Sequence, residues 1–282
     1  MDSVIKKSVR ALGLILLFAG ITCFSEENPA NAFQGSFSSN KLTYEETFEN
    51  GDAWTGDCYA YQQFAGSHSF KSIQNPAFME GFSGKFELRY GDPMVTKNGG
   101  PRAEVLFGEQ SHRERWYSFA VFFPSYGWKL DKDDEIVSQW HASNGTPPLA
   151  LRVKNGKLRL RIGHTDGSSI KFNYIEFGEV PKDEWNEFVF HVIHSEKSDG
   201  LIEVWKNGKK FATHKGPNLY KDGKHTRWKI GIYKSNWSKK STDVDLRVTY
   251  FDNVRIGNEN ASLEDMVTTK KSSTPIAVSG IS

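Results

Sequence analysis

The stretch LALRVKNGKLRLRIG, residues 149–163, constrains the fold more than any other part of the sequence. Apolar side chains alternate with polar ones on both sides of Asn155-Gly156, and a period of two is typical of strands with one buried face. An Asn-Gly pair between two such runs predicts a two-residue type I′ turn, because both turn positions require positive φ. The chain therefore contains an antiparallel hairpin whose polar face carries Arg152, Lys154, Arg159 and Arg161.

The rest of the chain repeats this pattern of short strands separated by turn residues. A second Asn-Gly pair, Asn207-Gly208, joins LIEVW to KKFATH, and further strands are predicted at RWYSFAVFF, NEFVFHVIH, WKIGIY and LRVTYFDNVRIG. Several of these are apolar on both faces, as expected of strands between two packed layers. Helical periodicity is weak apart from a short turn at SLEDMV. We therefore predict an all-β protein, a β-jelly-roll sandwich of two antiparallel sheets.

The N-terminus differs from the rest of the chain. Lys6, Lys7 and Arg10 precede ALGLILLFAGITCF, an apolar run of 14 residues. Such a run is short for a membrane span but typical of a signal-peptide core. Residues 30–32, Ala-Asn-Ala, then have the small-x-small pattern of a cleavage site. We expect a signal peptide over residues 1–32, export to the periplasm or the medium, and no membrane span.

The cysteines and the C-terminus complete the predicted organisation. Cys23 is a candidate for lipidation, but the residues Gly-Ile-Thr before it fit a lipobox poorly, so we expect a secreted or periplasmic protein rather than a lipoprotein. Cys58 would be the only cysteine of the mature chain, which excludes a disulfide within it. One domain is predicted over residues 33–257. Residues 258–282, rich in Ser, Thr, Asn and Lys, are predicted to form a flexible tail.

Charge and composition exclude several functions. The formal net charge is +2, and the predicted signal peptide carries as many acidic as basic residues, so a polyanion can bind only through a local cluster. Neither a glycine-rich phosphate loop nor zinc-ligand spacing is present in the sequence, and we expect no nucleic-acid partner. Aromatic residues make up 13% of the chain, which favours sheets and provides flat faces for sugar rings. We expect a monomer.

Three predicted strands carry polar side chains at alternate positions. Because side chains alternate along a strand, DEIVSQWHAS places Gln139 and His141 on one face with Glu135 and Val137. The other two strands contribute Arg102 and Glu104, and Lys229, Gly231 and Tyr233. Each set alone has an ordinary explanation, such as a structural histidine or an ion pair at the rim. Together the three sets supply what β-elimination from a uronic acid requires: neutralisation of the C6 carboxylate, loss of the C5 proton and protonation of O4.

Seven segments, in chain order, resemble polysaccharide lyases of the heparin lyase I and glucuronan lyase type. The resemblance covers roughly residues 44–257. It implies a β-jelly roll whose concave sheet binds an acidic polysaccharide, and a secreted lyase that leaves 4,5-unsaturated uronate ends. The segments are RAEVLF, FFPSYGWKLDKDDEIVSQWH, PPLALRV, WNEFVFHVIHS, GLIEVWKNGKK, KIGIYKS and YFDNVRIG.

The resemblance also assigns roles to particular residues. Arg102 and Gln139 are expected to bind the C6 carboxylate, and Tyr233 to protonate O4. For a glucuronate H5 and O4 leave on the same side, so Tyr233 can also be the base; for a guluronate or iduronate they leave on opposite sides, and His141 would be the base. Further substrate contacts are expected from Lys229, Lys234, Arg159 and Arg161. One more polar group from an earlier strand is left open between Gln62, Gln63 and His68.

Two features have more than one interpretation. The basic face of the first hairpin is either a solvated outer face or a rail for a polyanion in flanking subsites. Oxygen donors near the two ends of the domain are of the kind that Ca²⁺ prefers, although they are also ordinary turn residues. The resemblance suggests a structural calcium ion there, outside the chemistry, and we expect no organic cofactor. The candidate calcium ligands are Glu49, Asn50 and Asp252.

Two other functions are alternatives to the lyase on this fold. A non-catalytic carbohydrate-binding module shares the fold but does not need lysine, tyrosine and histidine around one sugar. A retaining glycoside hydrolase needs two carboxylates about 5 Å apart; Asp131, Asp133 and Glu135 alternate, but the polar residues between them predict a solvated turn. We favour a lyase for an unsulfated polyuronate, glucuronan first and alginate second, because sulfated heparin-like chains call for more basic residues than this sequence provides.

Overall fold

A computed structural model describes residues 41–49, 53–54, 59–79, 81–142, 145–221 and 226–268. The predicted signal peptide, both cysteines and residues 269–282 lie outside these ranges. Within them the chain is almost entirely β, as predicted, and its strands pair into two antiparallel sheets. No helix in the described ranges is long and apolar enough to cross a membrane.

Fifteen strands, one 3₁₀ turn and one helical turn make up the described chain. The 3₁₀ turn is Ser235–Ser238 and the helix α1 is Leu263–Met266. The strands are β1 Leu42–Glu46, β2 Ala60–Gln63, β3 Phe70–Ile73, β4 Ser83–Arg89, β5 Arg102–Glu109, β6 Glu114–Phe122, β7 Asp134–His141, β8 Leu149–Lys154, β9 Lys157–Asp166, β10 Ser169–Glu179, β11 Trp185–Ile193, β12 Leu201–Lys206, β13 Lys209–Lys215, β14 Arg227–Tyr233 and β15 Leu246–Gly257.

The two sheets pack face to face as a sandwich. One, here called the β6 sheet, has the order β13-β12-β11-β6-β15-β4-β3, with β1 also paired to β15. The other, the β14 sheet, has the order β10-β9-β8-β7-β14-β5-β2. Strands that are distant in sequence therefore become neighbours, which is what brings polar residues of β2, β5, β7 and β14 together. The face of the β14 sheet that points away from the core is called its open face.

Aromatic side chains from both sheets fill the core. Trp140 and Trp228 lie opposite each other on β7 and β14, 6.2 Å apart between ring centroids, and Tyr117 of the β6 sheet meets Trp140 edge-on at 5.4 Å. The Trp228 indole N–H donates to Ser138 Oγ at 2.9 Å. Trp228, Ile230 and Ile232 are each fully buried and form the core face of β14. Truncating such a tryptophan to alanine costs about 3–5 kcal/mol.

Both Asn-Gly hairpins form as predicted. Asn155 and Gly156 have φ of 51° and 73°, and Asn207 and Gly208 have the same values. Positive φ at both central positions defines the type I′ turn, whose twist matches that of the flanking strands. The turns fix the registers of β8 with β9 and of β12 with β13.

A bulge in β7 changes which side chains share a face. Ile136 pairs with Arg152 of β8 while Ser138 pairs with Leu151, so Val137 is an extra residue in β7. A bulge shifts the alternation by one residue, and Glu135 therefore turns to the interior side, where it is 1% exposed. The prediction that Glu135 and Val137 share the face of Gln139 and His141 is wrong, since strict alternation assumes an unbroken strand.

Two regions differ from the sequence prediction: strand β10 and the segment after residue 257. Strand β10 is the edge of the β14 sheet and pairs only with β9 among the described strands. The predicted flexible tail is ordered up to residue 268: α1 forms at the SLEDMV turn, and Met266 is fully buried against Trp116 and Trp205 on the outer side of the β6 sheet. Burial of an apolar residue in a polar segment explains the order, and composition alone does not reveal it.

Candidate active site

Four neighbouring strands of the β14 sheet bring the predicted site residues onto the open face. Gln139 of β7 pairs with Lys229 of β14, Tyr233 pairs with Arg102 of β5, and Gln63 of β2 pairs with Glu104 of β5. Residues that are distant in sequence thus occupy adjacent positions in the order β7-β14-β5-β2.

Glu104 lies at the centre of this group. Its carboxylate accepts hydrogen bonds from Arg102 Nη1 at 3.3 Å, from Lys229 Nζ at 3.4 Å and from Gln139 Nε2. Glu104 is 1% exposed, so the interpretation of Arg102 and Glu104 as a rim ion pair is wrong. The sequence places Glu104 two residues after Arg102, but only the pairing of β5 with β14 and β7 shows that one carboxylate orients three polar side chains. We call Arg102, Glu104, Gln139 and Lys229 the Glu104 cluster.

The structure also decides the position that the sequence left open. Gln63 Oε1 accepts a hydrogen bond from Lys229 Nζ at 3.1 Å. Gln62 instead donates to the Trp54 carbonyl at 3.4 Å, and His68 contacts Asp92 at 3.0 Å. Gln63 is therefore the early-strand residue that joins the cluster, because it is the one that faces Lys229.

Tyr233 lies at one end of the cluster. The Arg102 guanidinium carbon is 4.6 Å from the centre of its ring. Burial raises the pKa of the Tyr233 phenol, and the positive charge of Arg102 offsets part of this rise. The phenol is therefore protonated at neutral pH, and Arg102 is the group that stabilises its anion.

Two glycines shape the backbone around Arg102 and Tyr233. Gly99 has φ of 102°, and a side chain there would collide with the Arg102 guanidinium. Gly231, with φ of 126°, lies so close to the Ala103 carbonyl that a Cβ would collide with it. Close packing of β14 against β5 therefore accounts for Gly231.

His141 lies at the opposite end of the cluster. Its Nε2 is 3.1 Å from the Gly145 carbonyl oxygen, which can only accept, so Nε2 carries a proton and Nδ1 is the free acceptor of the neutral ring. Burial and the positive charge of Lys229 hold the pKa of His141 below its ordinary value. A neutral imidazole with a free nitrogen can act as a base.

His141 and Tyr233 occupy opposite ends of the cluster along the strands. His141 pairs with Arg227 and Tyr233 pairs with Ile136, so six residues of β14 separate their backbone positions. The Glu104 cluster lies between them. A negatively charged group bound at the cluster would thus have His141 on one side and Tyr233 on the other.

Lys229 places its charge between Gln63 and Glu104. Burial lowers the pKa of Lys229, and the Glu104 carboxylate offsets part of this change. Lys229 donates two of its three N–H groups and Gln139 one of its two within the described chain. One N–H on each side chain is thus left for another acceptor.

Lys234 does not belong to this group. Its side chain is fully buried on the interior side, with Nζ 2.8 Å from Asp131 Oδ2 and 3.0 Å from Glu135 Oε2. Side chains alternate along the chain, so the residue after Tyr233 points away from the open face. The expectation that Lys234 contacts substrate is therefore corrected.

Two carboxylates at the start of β7 are also buried, Asp131 just before the strand and Glu135 within it. Arg247 of β15 binds both oxygens of Glu135 at 2.8 Å, and Asp131 is 2% exposed beside Lys234. The prediction of a solvated turn is wrong for these two carboxylates, because Arg247 and Lys234 enclose them. We call Asp131, Glu135, Lys234 and Arg247 the Lys234 cluster. Its carboxylates are paired with cations and do not form the open pair that a retaining hydrolase needs.

The arginines of the first hairpin lie on the open face, toward the β10 edge. Arg152 and Arg161 are 8% and 9% exposed, which rules out a solvated outer face for them. Arg152 binds Asp134 at 2.9 Å, and Arg161 donates to the Pro147 carbonyl at 3.2 Å. Arg159 is partly exposed and lies 3.9 Å from Asp134.

Two of the three candidate calcium ligands are described, and Asn50 lies outside the described residues. The Asp252 carboxyl is 1% exposed and accepts from the backbone N–H groups of Phe78 and Asn253, each at 2.8 Å. Burial raises the pKa of Asp252 to about 7, and the negative charge of Glu49 adds to the rise. The Glu49 side chain is exposed, so one buried and one exposed carboxyl group lie here, both oxygen donors of the kind that Ca²⁺ prefers.

Comparison with known proteins agrees with the fold described above, an all-β sandwich. The family model described as "Polysaccharide lyase" matches residues 53–255. The chain therefore belongs to this polysaccharide lyase family, and it is an enzyme that acts on a polysaccharide. A comparison with curated protein sequences gave no significant match.

Solved structures with the same fold include other polysaccharide lyases. The endo-β-1,4-glucuronan lyase of the fungus Trichoderma reesei superposes with a TM-score of 0.62 at 16% identity, covering 80% of this chain and 98% of its own. Alginate lyase A1-II′, of polysaccharide lyase family 7, gives 0.51 at 13% identity, covering 70% and 93%. The binding domain of Paraclostridial Mosquitocidal Protein 1 gives 0.51 at 10% identity, covering 80% and 51%. These likenesses confirm the jelly roll.

Proposed function

We propose that this lyase is exported and cleaves an unsulfated polyuronate, with a β-1,4-glucuronan as first choice, by β-elimination that leaves a 4,5-unsaturated uronate end. The single observation that supports this most strongly is the Glu104 cluster. It holds two cations against one carboxylate in a buried position, and it leaves spare N–H groups on Lys229 and Gln139. A surplus positive charge of this kind suits a carboxylate in the substrate.

The first step is neutralisation of the C6 carboxylate. The spare N–H groups of Gln139 and Lys229 donate to it, and the buried Arg102 adds its charge. As H5 leaves, negative charge moves from C5 onto the carboxylate oxygens, so donors held in place by Glu104 stabilise the intermediate more than the ground state. In a site shielded from water this electrostatic contribution is the largest that the described residues can supply.

Proton transfer completes the elimination. A base takes H5, the electron pair of that bond forms the C4–C5 double bond, and the C4–O4 bond breaks with its pair passing to O4, which takes a proton. Tyr233 in its ionised form removes H5, becomes the phenol, and then gives that proton to O4. Arg102, 4.6 Å from the ring, stabilises the ionised form.

The positions of Tyr233 and His141 favour one stereochemistry. Removal of H5 and protonation of O4 on the same side of the sugar need one group on that side. Of the two candidate groups, Tyr233 lies beside Arg102, which can stabilise its anion, whereas His141 lies at the other end of the cluster, near Lys229. We therefore assign both proton transfers to Tyr233 in a same-side elimination, which is the geometry of a glucuronate or mannuronate.

A panel of polyuronates tests the proposal. Glucuronan, polymannuronate, polyguluronate and heparin are each incubated with the enzyme, and the conjugated unsaturated product is followed by its ultraviolet absorbance. We expect glucuronan to react fastest, polymannuronate to react more slowly, and the other two to give little product. Preferential cleavage of polyguluronate would contradict the same-side mechanism, and an increase in reducing ends without ultraviolet absorbance would contradict elimination.

We propose a structural calcium ion bound by Asp252 and Glu49. A bound cation would offset the charge of the buried Asp252 and the exposed Glu49 and tie β15 to the segment that follows β1, without touching the Glu104 cluster on the other sheet. Removal of calcium with a chelator should lower the melting temperature by several degrees, and added calcium should restore it. A melting temperature that is unchanged by chelator, calcium and Asp252→Asn alike would contradict the site.

A further inference from the structure

Exposed apolar side chains line the open face of edge strand β10. Ile170, Phe172 and Tyr174 are 51%, 37% and 44% exposed. Their neighbours Ile175 and Phe177 pack on the core, so the exposed three occupy the other side of the strand, which is the open face. An exposed apolar row on an edge strand favours unwanted pairing, and proteins usually place charges there. A row of this kind therefore calls for a ligand.

Each ring of this row is backed by an arginine of β9. The Arg159 guanidinium lies 4.7 Å from the centre of the Tyr174 ring, and that of Arg161 lies 4.6 Å from the centre of the Phe172 ring. Stacking on a guanidinium holds a ring in one orientation and leaves its remaining surface open to solvent. The sequence shows basic residues on β9, but it does not show that β10 covers them with aromatic rings.

The rings lie on the same row of paired residues across the sheet as the Glu104 cluster. Gln139 pairs with Ala150 of β8, Ala150 pairs with Arg161 of β9, and Arg161 pairs with Tyr174 of β10. Three strand spacings, about 14 Å, separate Gln139 from Tyr174 along this row. A polysaccharide that lies across the strands with one sugar at the cluster would reach the rings only through further linked sugars.

The charge of this region suits an anionic chain. Arg152 and Arg159 share Asp134 as their one acidic partner within ion-pair distance in the described chain, and Arg161 has none within those ranges. Burial lowers the pKa of Arg161 to about 10, so Arg161 carries its charge at neutral pH. The same positive surplus would repel a second copy of this strand, which argues for a polyanion rather than a dimer partner.

We propose that Phe172 and Tyr174, each stacked on an arginine, form a distal subsite that binds uronate sugars of the substrate chain several residues from the cleaved bond. The proposal rests on the function proposed above and deepens it. The ring faces bind the apolar faces of sugars, and Arg159 attracts their carboxylates. The enzyme thereby binds long chains more tightly than short ones, while the chemistry at the Glu104 cluster is unchanged.

The test compares a long and a short substrate. Tyr174→Ala, Phe172→Ala and the double variant are assayed on glucuronan polymer and on a glucuronan trisaccharide, which is too short to reach from the cluster to the rings. We expect KM for the polymer to rise about tenfold in the double variant, with kcat unchanged, and both constants for the trisaccharide to stay at wild-type values. Tyr174→Phe keeps the ring and should retain the wild-type KM.

A matched control separates the subsite from a general surface effect. Tyr126 is another exposed tyrosine, 53% exposed and bonded to Tyr250 of the β6 sheet, and Tyr126→Ala should leave both substrates unaffected. Unchanged polymer KM in the double variant, or an equal rise on the trisaccharide, would overturn the subsite. A wild-type dimer in solution that the double variant converts to monomer would assign the row to self-association instead. If the wild-type enzyme gives no unsaturated product from any polyuronate, the proposed function fails, whatever the ring variants do.

Discussion

Two buried polar clusters lie on opposite faces of β7 and β14, and they differ in what their charges face. In the Lys234 cluster, two cations and two carboxylates pair at 2.8–3.0 Å, and all four side chains are at most 2% exposed. The partly exposed Asp133 adds a third carboxylate 3.6 Å from Lys234. In the Glu104 cluster, two cations share one carboxylate, and the partly exposed Gln63, His141 and Tyr233 border them. A cluster whose cations are all paired with carboxylates stabilises the fold, whereas a cluster with surplus positive charge and spare donors can bind an anion.

The difference also corrects a common inference from sequence. Asp131, Asp133 and Glu135 have the alternating spacing of a carboxylate site, yet the structure encloses them with basic residues of β15 and the segment after β14. Glu104 has no conspicuous spacing, yet it orients three donors. The number of acidic residues in a segment therefore says less about function than the charge that remains after pairing.

The largest expected effect concerns the chemistry beside the Glu104 cluster. Tyr233→Phe removes one hydroxyl and keeps the ring on Arg102, so kcat should fall about a thousandfold, with the melting temperature unchanged. Ultraviolet absorbance of the unsaturated product measures the rate. Near wild-type activity in a folded Tyr233→Phe enzyme would remove Tyr233 from the mechanism.

The next effect concerns the Lys234 cluster. Lys234→Met keeps the length of the side chain but leaves Asp131 and Glu135 short of a cation, so the free energy of unfolding should fall by about 3–5 kcal/mol. Denaturant titration measures this loss, and the molecules that remain folded should keep the wild-type KM. Lys234→Met combined with Glu135→Gln should recover part of the stability. A stable Lys234→Met variant with a raised KM would mean that Lys234 acts on substrate after all.

The same cluster predicts how stability depends on pH. Burial alone would raise the pKa of Asp131, but the hydrogen bonds from Lys234, the Asp133 backbone N–H and Thr242, together with the charge of Lys234, outweigh it, and the pKa lies below its ordinary value. The folded state therefore binds fewer protons than the unfolded state, and the stabilisation, present above about pH 4, is lost as the pH falls through the lowered pKa. Lys234→Met should show a smaller loss over this interval in acid denaturation.

A smaller effect is expected at Glu104, and it separates positioning from stability. Glu104→Gln keeps the shape but replaces charge-assisted hydrogen bonds with weaker ones, so kcat should fall about tenfold to a hundredfold. KM should not rise, because the positive surplus grows. Stability should change less than in Lys234→Met. Equal losses of kcat in Glu104→Gln and Lys234→Met would contradict the contrast between the two clusters.

The smallest effect is expected at His141. If Tyr233 is the single acid and base, His141→Ala should reduce kcat on glucuronan only a few fold, and the rate should keep rising in alkaline solution toward the raised pKa of Tyr233. If His141 is the base, the rate should instead rise through the lowered pKa of His141 and then level off, and His141→Ala should be inactive. The pH profile of kcat/KM decides between the two.

Much of the fold could be predicted from the sequence, because its signals are local. Alternation and Asn-Gly pairs specify hairpins through residues that are adjacent in the chain, and the strands at RWYSFAVFF and LRVTYFDNVRIG form where predicted. The β7 bulge could not be predicted, since it depends on how β7 meets β8 and β14. The order up to residue 268 depends on a surface of the β6 sheet that exists only after folding.

The sequence by itself determined the all-β class, the two type I′ hairpins and the presence of Arg102, Gln139, His141, Lys229 and Tyr233 at alternating strand positions. Only the tertiary structure decided which polar groups meet. In the folded chain Gln63 bonds Lys229 and Lys234 points to the interior. Glu104 lies at the centre of one cluster, and aromatic rings of β10 stack on the arginines of β9. The physical reason is that hydrogen bonds and ion pairs act over a few ångströms, and the strands that bring these groups within that distance are far apart in the chain.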